Sequence, residues 1–121
     1  MQVMLLIAHG SRREASKEEV RELARRVEAM EQSPYARVIP AFLELAEPDI
    51  PTGVRLCEEA GAEAVMVVPY LLSAGRHVAE DIPRELEEAA KQHPRLRIQV
   101  AEHVGQHREM PQLLLKVGQQ V

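Results

Sequence analysis

The stretch VMLLIAHGS, residues 3–11, carries the strongest structural signal in the chain. Residues 3–8 are apolar without a break, and such a run is typical of a strand that is covered on both faces of a parallel sheet. The run ends at His9, which is followed by a glycine, a residue that lets the backbone turn tightly. The stretch therefore predicts a buried strand that delivers an imidazole to the edge of a sheet.

Three further segments, residues 37–43, 64–72 and 96–101, also have the apolar composition of strands. Pro40 lies inside the first of these three. It predicts an edge strand, because proline has no amide hydrogen to donate to a neighbouring strand. The sequence thus predicts four strands, one of them at an edge of the sheet.

Helical patterns separate these strands and follow the last one. Apolar residues recur at helical spacing from Val20 to Met30, and Ser16 with Glu19 predicts a capping box at the start of that helix. Residues 110–121 carry a second apolar stripe of the same period and predict a helix at the end of the chain.

The tripeptide Asp-Ile-Pro occurs at residues 49–51 and again at residues 81–83. Aspartate is a favourable N-cap and proline is tolerated in the first turn of a helix. The first copy therefore predicts a helix that ends at Gly61. The second predicts a helix that runs to about residue 92.

The alternation of strand and helix predicts one α/β domain over residues 1–121. We expect a three-layer fold, in which right-handed crossovers place helices on both faces of a four-stranded parallel sheet. The expected strand order is the flavodoxin-like 2-1-3-4, which reverses between strands 1 and 3. Ligands bind such sheets beyond the carboxyl ends of the strands, so residues at those ends are candidates for a site.

Composition limits the classes of function. A chain of 121 residues with one phenylalanine, two tyrosines and no tryptophan lacks the rings that stack single-stranded nucleic acid. The net charge of -4 supplies no field for a polyanion. A lone cysteine, Cys57, fits a reducing compartment, and residues 3–8 are too short to span a membrane. We therefore expect a cytoplasmic protein without a nucleic-acid or membrane partner.

Chemically active side chains follow three of the predicted strands. His9 follows the first, Glu44 follows the second, and Arg76 and His77 lie in the loop after the third. We expect these residues to lie close together, because the carboxyl ends of parallel strands share one edge. Two imidazoles and a carboxylate with open positions suit a divalent transition metal, and histidine equally suits acid–base chemistry near neutral pH.

Each of these residues also has a purely structural interpretation. His9 alone can be an ordinary strand-end residue, Glu44 a solvated side chain, and Arg12 with Arg13 an exposed turn. The two arginines and Arg76 otherwise supply fork-shaped donors for carboxylates or phosphates. The other three histidines are interpreted as structural: His93, His103 and His107.

Three blocks carry a resemblance to a known family. They are AHGSR at residues 8–12, AFLELAEPDIP at 41–51 and VPYLLSAGRHVAEDIP at 68–83. In order and spacing they resemble the short-chain sirohydrochlorin chelatases of the CbiX and SirB type, which include cobaltochelatases and ferrochelatases. The most specific part is LSAGRHVAEDIP, and the resemblance extends over nearly the whole chain.

The resemblance implies a chelatase-like fold and a class II chelatase, which inserts a divalent metal ion into sirohydrochlorin without ATP and with release of two protons. It implies His9 and His77 as metal ligands and His9 also as the acceptor of a pyrrole proton. Glu44 would be a catalytic residue that contacts substrate or helps in metal and proton handling. The residues implied to lie against the macrocycle are Leu71, Leu72, Ser73, Ala74, Gly75 and Arg76. The candidate anion contacts are Ser11, Arg12 and Arg13.

Family prevalence favours Co²⁺ and hence cobalamin biosynthesis, with Fe²⁺ for sirohaem or Ni²⁺ for coenzyme F430 as alternatives. No cofactor beyond the metal substrate is implied. A flat tetrapyrrole is broad relative to the rim of a four-stranded sheet, and larger members of the superfamily join two similar halves in one chain. We therefore expect a homodimer, with the apolar segment 110–121 as a candidate contact.

Three other functions compete with this hypothesis. A histidine phosphatase or mutase needs an arginine directly before its nucleophilic histidine, and this chain has Ala8 there. A phospho-acceptor signalling domain needs an acidic cluster after strands 1 and 3, where His9 and His77 stand instead. A non-catalytic carrier of metal or tetrapyrrole would use the same ligands and remains open, and repeated turnover would separate it from a chelatase.

Overall fold

The computed structural model describes the backbone of residues 1–121 and every side chain except that of His77. Four β-strands alternate with four α-helices, as the sequence predicts. The elements are β1 (Gln2–Ala8), α1 (Glu14–Glu28), β2 (Arg37–Phe42), α2 (Ile50–Glu59), β3 (Ala64–Pro69), α3 (Arg76–Gln92), β4 (Arg97–Val100) and α4 (Met110–Gln119), with a 3₁₀ turn at Val104–Gln106. β2 and β4 match the predicted segments to within one residue at each end.

All four strands are parallel and their order is β2-β1-β3-β4, which confirms the predicted order. Ala8 at the end of β1 pairs with Phe42 of β2, and Ile7 pairs with Pro69 of β3. The three strands therefore end nearly level, and the residues that follow them leave the sheet at one edge. The edge strand β2 contains Pro40, as predicted.

Helices cover both faces of the sheet, which confirms the predicted layers. On one face α2 and α3 pack against alternate side chains of the strands. The buried residues there are Val3, Leu5, Ile7, Ile39, Ala41, Ile50, Val54, Cys57, Val65, Val67, Ile82, Leu86, Ala89 and Leu96. On the other face Ala24 of α1 packs with Leu6 and Val38. Full burial of one large aliphatic side chain contributes about 1.5–3 kcal/mol, so the larger cluster dominates the stability.

α2 begins where the sequence predicts. The carboxylate of Asp49, the N-cap residue, accepts a hydrogen bond from the backbone N–H of Thr52 at 3.0 Å, and Pro51 lies in the first turn. Hydrogen bonds from the side chain and backbone of Thr52 hold the pKa of Asp49 below its usual value. Further along α2, Cys57 is fully buried, and burial raises the pKa of its thiol to about 12. Cys57 is therefore a packing residue.

α3 begins at Arg76, ahead of the predicted start at residues 81–83. Gly75 is its N-cap, and Pro83 lies inside the helix. A proline in a helix interior removes one backbone hydrogen bond. The helix continues because Ile82 and Leu86 are buried against the sheet, and this apolar contact outweighs the lost hydrogen bond.

α1 also begins earlier than predicted, at Glu14, so the predicted capping box of Ser16 and Glu19 is wrong. Glu14 lies in the first turn, where the helix dipole favours a negative charge. Its carboxylate also lies 3.0 Å from the ammonium of Lys17 and 2.9 Å from the guanidinium of Arg21. Hydrogen bonds from Arg21 and Lys17 lower the pKa of Glu14, and the N-cap residue Arg13 makes no side-chain cap hydrogen bond.

β3 ends at Pro69, three residues before the predicted end. The N–H of Tyr70 still donates to the carbonyl of Ile7 at 2.7 Å, but the N–H of Leu71 turns back to the carbonyl of Pro69 at 3.0 Å. This tight turn takes the chain off the sheet. Residues 71–75 consequently form a loop that connects β3 to α3.

α4 stands away from the sheet, and its main packing partner is the 3₁₀ turn. Four apolar side chains on it are at least half exposed: Leu113, Leu114, Leu115 and Val117. On the face of the sheet that α1 covers only in part, Met66 of β3 is half-buried. The folded chain thus leaves apolar surface uncovered. None of the described helices has the length and hydropathy that a membrane crossing requires.

Candidate functional site

The carboxyl edge of the sheet brings His9 and Glu44 together, as the sequence predicts. His9 directly follows β1, and Glu44 lies two residues after the end of β2. Nε2 of His9 is 3.5 Å from Oε1 of Glu44, and the two side chains are 60% and 57% exposed. The edge therefore presents a proton acceptor and an anionic oxygen side by side, and both are open to a ligand.

Backbone contacts hold this pair in place. The N–H of Glu44 donates to the carbonyl of His9 at 3.2 Å, and the N–H of Leu43 donates to the carbonyl of Ala8 at 3.0 Å. Gly10 has a φ of +106°, and a Cβ on it would lie 1.8 Å from the carbonyl oxygen of Glu44. Only glycine fits this close approach of two loops, so Gly10 is required for the spacing of His9 and Glu44.

A cavity of about 200 Å³ beside this pair is shared with α3. Its lining residues are His9, Leu43, Glu44, Val78, Asp81 and Glu85. Asp81 and Glu85 are four residues apart, so they lie on the same face of the helix, one turn apart. Burial, together with the negative charges of Asp81 and Asp49, raises the pKa of Glu85. This side of the candidate site is therefore acidic.

Asp81 and Glu85 are additional candidate site residues that the sequence reasoning missed. The second Asp-Ile-Pro tripeptide predicts Asp81 as a helix N-cap, whose carboxylate is used for capping. In the structure α3 begins at Arg76, so residues 81 and 85 follow position 77 by one and two helical turns along the backbone. Acidic residues at intervals of four after the LSAGRH block are the signal that could have found them.

A second cavity, of about 220 Å³, also borders His9. Its lining residues are Ala8, His9, Gly10, Ser11, Ser16, Val20, Phe42 and Tyr70. The hydroxyl oxygen of Ser11 accepts a hydrogen bond from the backbone N–H of Arg13 at 3.0 Å, so Ser11 stabilises the turn that leads into α1. Arg12 and Arg13 themselves are exposed, as anion contacts need to be.

The loop implied to lie against the macrocycle flanks the same edge. Its neighbour Tyr70 lines one cavity at His9, and Val78 of α3 lines the other. Within the loop Leu72 is 73% exposed and Ala74 is half-buried, while Arg76 at its end is 90% exposed and lies 3.4 Å from Glu80. An exposed pair of this kind contributes little to stability, so the guanidinium can exchange Glu80 for another anion.

His77, the second predicted metal ligand, has a side chain that lies outside the described residues. Its backbone belongs to the first turn of α3, which corrects the predicted loop position. Among the side chains that are described, no group of three or more histidines, cysteines, aspartates or glutamates is arranged to hold a metal ion. The set of His9, Glu44 and His77 therefore stays a prediction.

The other three histidines line neither of the two cavities that border His9. Nδ1 of His93 is 3.1 Å from Oε1 of Glu58, which joins the ends of α3 and α2. Nδ1 of His107 accepts a hydrogen bond from the N–H of Glu109 at 3.0 Å, next to the start of α4. His103 lines a third cavity, of about 230 Å³, which borders the loop after β3.

Comparison with protein families gives one decisive match. The CbiX family model matches residues 3–120, almost the entire chain. The chain belongs to the CbiX family. This confirms the resemblance carried by the three sequence blocks.

This CbiX-family chain is similar to relatives named for two different metals. It is 35% identical over 104 residues to the sirohydrochlorin ferrochelatase of Bacillus subtilis, a match that covers 86% of this chain and 39% of that protein. It is 38% identical over 86 residues to the sirohydrochlorin cobaltochelatase of Methanocaldococcus jannaschii, covering 71% of this chain and 59% of that protein. The chain thus matches only 39–59% of the length of these relatives.

A solved structure agrees with the fold of this CbiX-family chain. The sirohydrochlorin chelatase SirB from Bacillus subtilis subspecies spizizenii, in complex with cobalt, superposes with a TM-score of 0.84 at 32% identity. The match covers 99% of this chain and 50% of SirB. The predicted chelatase-like fold is therefore confirmed, and this chain corresponds to one half of SirB.

Proposed function

We propose that this chain is a sirohydrochlorin chelatase, which inserts a divalent metal ion into the free tetrapyrrole without ATP. The observation that carries the proposal is the His9–Glu44 pair, 3.5 Å apart and exposed at the carboxyl edge of the sheet. Membership of the CbiX family and similarity to relatives named as sirohydrochlorin chelatases support the same reaction.

Proton removal is the chemical step that these two residues explain. Insertion of a divalent ion into a free-base ring releases two protons from the pyrrole nitrogens. A neutral imidazole at position 9 accepts such a proton, since histidine exchanges protons readily near neutral pH. The imidazolium that forms lies beside the Glu44 carboxylate, whose negative charge attracts it at 3.5 Å. Glu44 therefore helps to draw the proton away from the ring.

His9 and His77 bind the metal ion before it passes into the ring. Imidazole nitrogens suit Co²⁺, Fe²⁺ and Ni²⁺, and a carboxylate nearby compensates the charge. A set with few protein ligands releases the ion to the ring more easily than a closed cage does. Asp81 and Glu85, which line the cavity next to His9, supply further carboxylate oxygens at this edge.

The ring itself is recognised by apolar surface and by local positive charge. Leu72 is largely exposed and presents apolar surface for the face of the macrocycle. Sirohydrochlorin carries many peripheral carboxylates, and the exposed Arg12, Arg13 and Arg76 supply donors for them. These local donors offset the net charge of -4, which by itself repels an anionic substrate.

We propose Co²⁺ as the physiological metal and cobalamin biosynthesis as the pathway, carried out in the cytoplasm. Similarity to the cobaltochelatase of Methanocaldococcus jannaschii supports cobalt, and similarity to the ferrochelatase of Bacillus subtilis supports iron. The donor atoms at this edge suit both ions, and Ni²⁺ as well. Only a comparison of rates separates the three metals.

The test mixes the purified protein, sirohydrochlorin and Co²⁺, Fe²⁺ or Ni²⁺ in separate anaerobic reactions and follows the absorption spectrum of the ring. We expect Co²⁺ insertion to be faster than in the protein-free control and to exceed one turnover per chain, which excludes a carrier. Faster insertion of Fe²⁺ or Ni²⁺ would overturn the choice of metal and leave the chelatase. No acceleration with any metal would reject the proposed function.

We also propose that two copies of the chain associate as a homodimer. The chain corresponds to half of SirB, so a second copy supplies the counterpart of the other half. Leu114 and Leu115 on α4 are 64% and 67% exposed, and single domains rarely leave such neighbouring apolar side chains without a partner. The proposed contact is formed by α4 of each copy against the other.

Leu114→Lys is expected to weaken the dimer by at least about 100-fold, because both copies carry the change and each loses about 1.5–3 kcal/mol of apolar burial. Light scattering over a dilution series measures the dissociation constant. Gln119→Lys, which adds the same charge at an exposed polar position on the same helix, is the control and should leave the dimer intact. A wild-type protein that stays monomeric throughout the series would overturn the proposed dimer.

A further inference from the structure

The loop after β3 borders a cavity that is open to solvent. The third cavity, about 230 Å³, is lined by Leu71 and Ala74 of the loop and, across from them, by Val100 and Ala101 at the end of β4. Leu71 packs in part against the main core, whereas Leu72 is 73% exposed and has little side-chain packing to hold it.

One backbone hydrogen bond crosses from the loop to the segment after β4. The N–H of Gly105 donates to the carbonyl of Leu71 at 2.9 Å. Among the described residues, it is the one backbone hydrogen bond that joins residues 71–74 to a segment distant in sequence. The position of the loop thus depends strongly on the 3₁₀ turn Val104–Gln106, which contains Gly105.

Gly105 also lies against the next peptide group of the loop. A Cβ on Gly105 would lie 1.7 Å from the carbonyl oxygen of Leu72, 2.5 Å from its carbonyl carbon and 2.9 Å from its Cα. All three are backbone atoms, so no flexible side chain can move aside. The backbone of Gly105 is outside the left-handed region, and the requirement for glycine here is therefore one of space.

We propose that Gly105 is a positioning residue for the tetrapyrrole. Its N–H and its missing side chain together set the position of Leu71 and Leu72, and hence of the apolar surface that the ring contacts. This inference rests on the proposed chelatase function. A displaced loop changes contact with the ring, whereas the His9–Glu44 pair is held by separate backbone contacts at Gly10. The effect of moving Gly105 therefore falls on ring binding.

Gly105→Ala is expected to raise KM for sirohydrochlorin about tenfold or more while kcat stays within about threefold of wild type. The displaced loop weakens binding of the ring equally in the ground state and the transition state, whereas proton transfer to His9 is unaffected. Gly53→Ala is the matched control. Its Cβ would lie 2.9 Å from Cβ of Ala41 and 3.0 Å from Cδ1 of Leu5, so it crowds the core beneath α2 and leaves the loop alone. Its KM should equal that of wild type, and urea unfolding of both variants shows how much stability each loses.

A second measurement uses the unaltered protein. The amide hydrogen of Gly105 should exchange with solvent several-fold more slowly once sirohydrochlorin is added without metal, because a ring on the loop keeps the Gly105–Leu71 hydrogen bond closed. This measurement decides the matter if Gly105→Ala does not fold. Amide exchange that the ring leaves unchanged would then overturn the proposal.

The remaining outcomes separate this inference from the function on which it rests. A wild-type KM in folded Gly105→Ala, or an equal rise of KM in Gly53→Ala, overturns the positioning role and leaves an active chelatase. A wild-type protein that neither binds nor metallates sirohydrochlorin rejects the function, and the positioning role is rejected with it.

Discussion

His9→Ala is expected to lower kcat for metal insertion by about 10²- to 10⁴-fold, the usual contribution of a positioned general base. The substitution removes the proton acceptor that lies 3.5 Å from Glu44 and leaves the carboxylate without its imidazole partner. Stability should change little, because the imidazole is 60% exposed and fills no part of the core. The rate is followed by the absorption change of the ring with the preferred metal in excess.

Two controls make this prediction specific to His9. His107→Ala removes an imidazole of similar exposure that lies apart from both cavities at His9, and it should retain the wild-type kcat. Free imidazole added to His9→Ala should restore part of the lost rate, because a small base can enter the exposed position. A His9→Ala protein with wild-type kcat would remove His9 from the mechanism.

The sheet could be predicted from the sequence because its strands follow strong and simple rules. Residues 3–8 are apolar at every position, as a central parallel strand must be when helices cover both faces. Pro40 cannot donate to a ladder, and β2 indeed lies at the edge. Once the strands and their order are predicted, the proximity of His9 and Glu44 follows, because the carboxyl ends of parallel strands lie at the same edge.

The start of α3 could not be predicted, because the same tripeptide occurs in two different contexts. At residues 49–51 it is followed by Thr52, whose backbone N–H donates to the carboxylate of Asp49 and completes a cap. At residues 81–83 it is followed by Arg84, whose guanidinium pairs with the carboxylate of Asp81 instead. Arg84 has a backbone N–H as Thr52 does, so the difference lies upstream: α3 has already begun at Arg76, with Gly75 as its N-cap, when the chain reaches Asp81.

Because of this difference, Asp81 and Glu85 could not be predicted as residues of the candidate site. An aspartate used as an N-cap is occupied with backbone amides, so the sequence pattern does not predict that its carboxylate faces a ligand. Within α3, Asp81 instead lines the cavity next to His9, together with Glu85 one turn later.

The exposure of α4 could not be predicted for another reason. Its apolar stripe predicts burial, but the structure of one copy buries none of Leu113, Leu114 or Leu115. A periodic pattern does not say which chain supplies the covering surface.

Gly10→Ala should lower both the free energy of unfolding and kcat. A residue other than glycine at a φ of +106° costs roughly 1–2 kcal/mol in backbone strain. Its Cβ would also lie 1.8 Å from the Glu44 carbonyl oxygen, and the crowding adds about 1–3 kcal/mol. We expect the free energy of unfolding in urea to fall by about 2–5 kcal/mol, the sum of the two costs.

Gly61→Ala separates these two costs. Gly61 has a φ of +96°, close to that of Gly10, but a Cβ there meets only the side chain of Met1 at 3.7 Å or more. It should therefore lose only the strain of roughly 1–2 kcal/mol and keep the wild-type kcat. In Gly10→Ala the loops must separate by more than 1 Å to bring the contact from 1.8 Å to an allowed 3.0 Å. A displacement of that size between His9 and Glu44 should lower kcat about 100-fold in protein that is still folded. Equal stability losses in the two alanine variants, or full activity in Gly10→Ala, would mean that the two loops are not held together at Gly10.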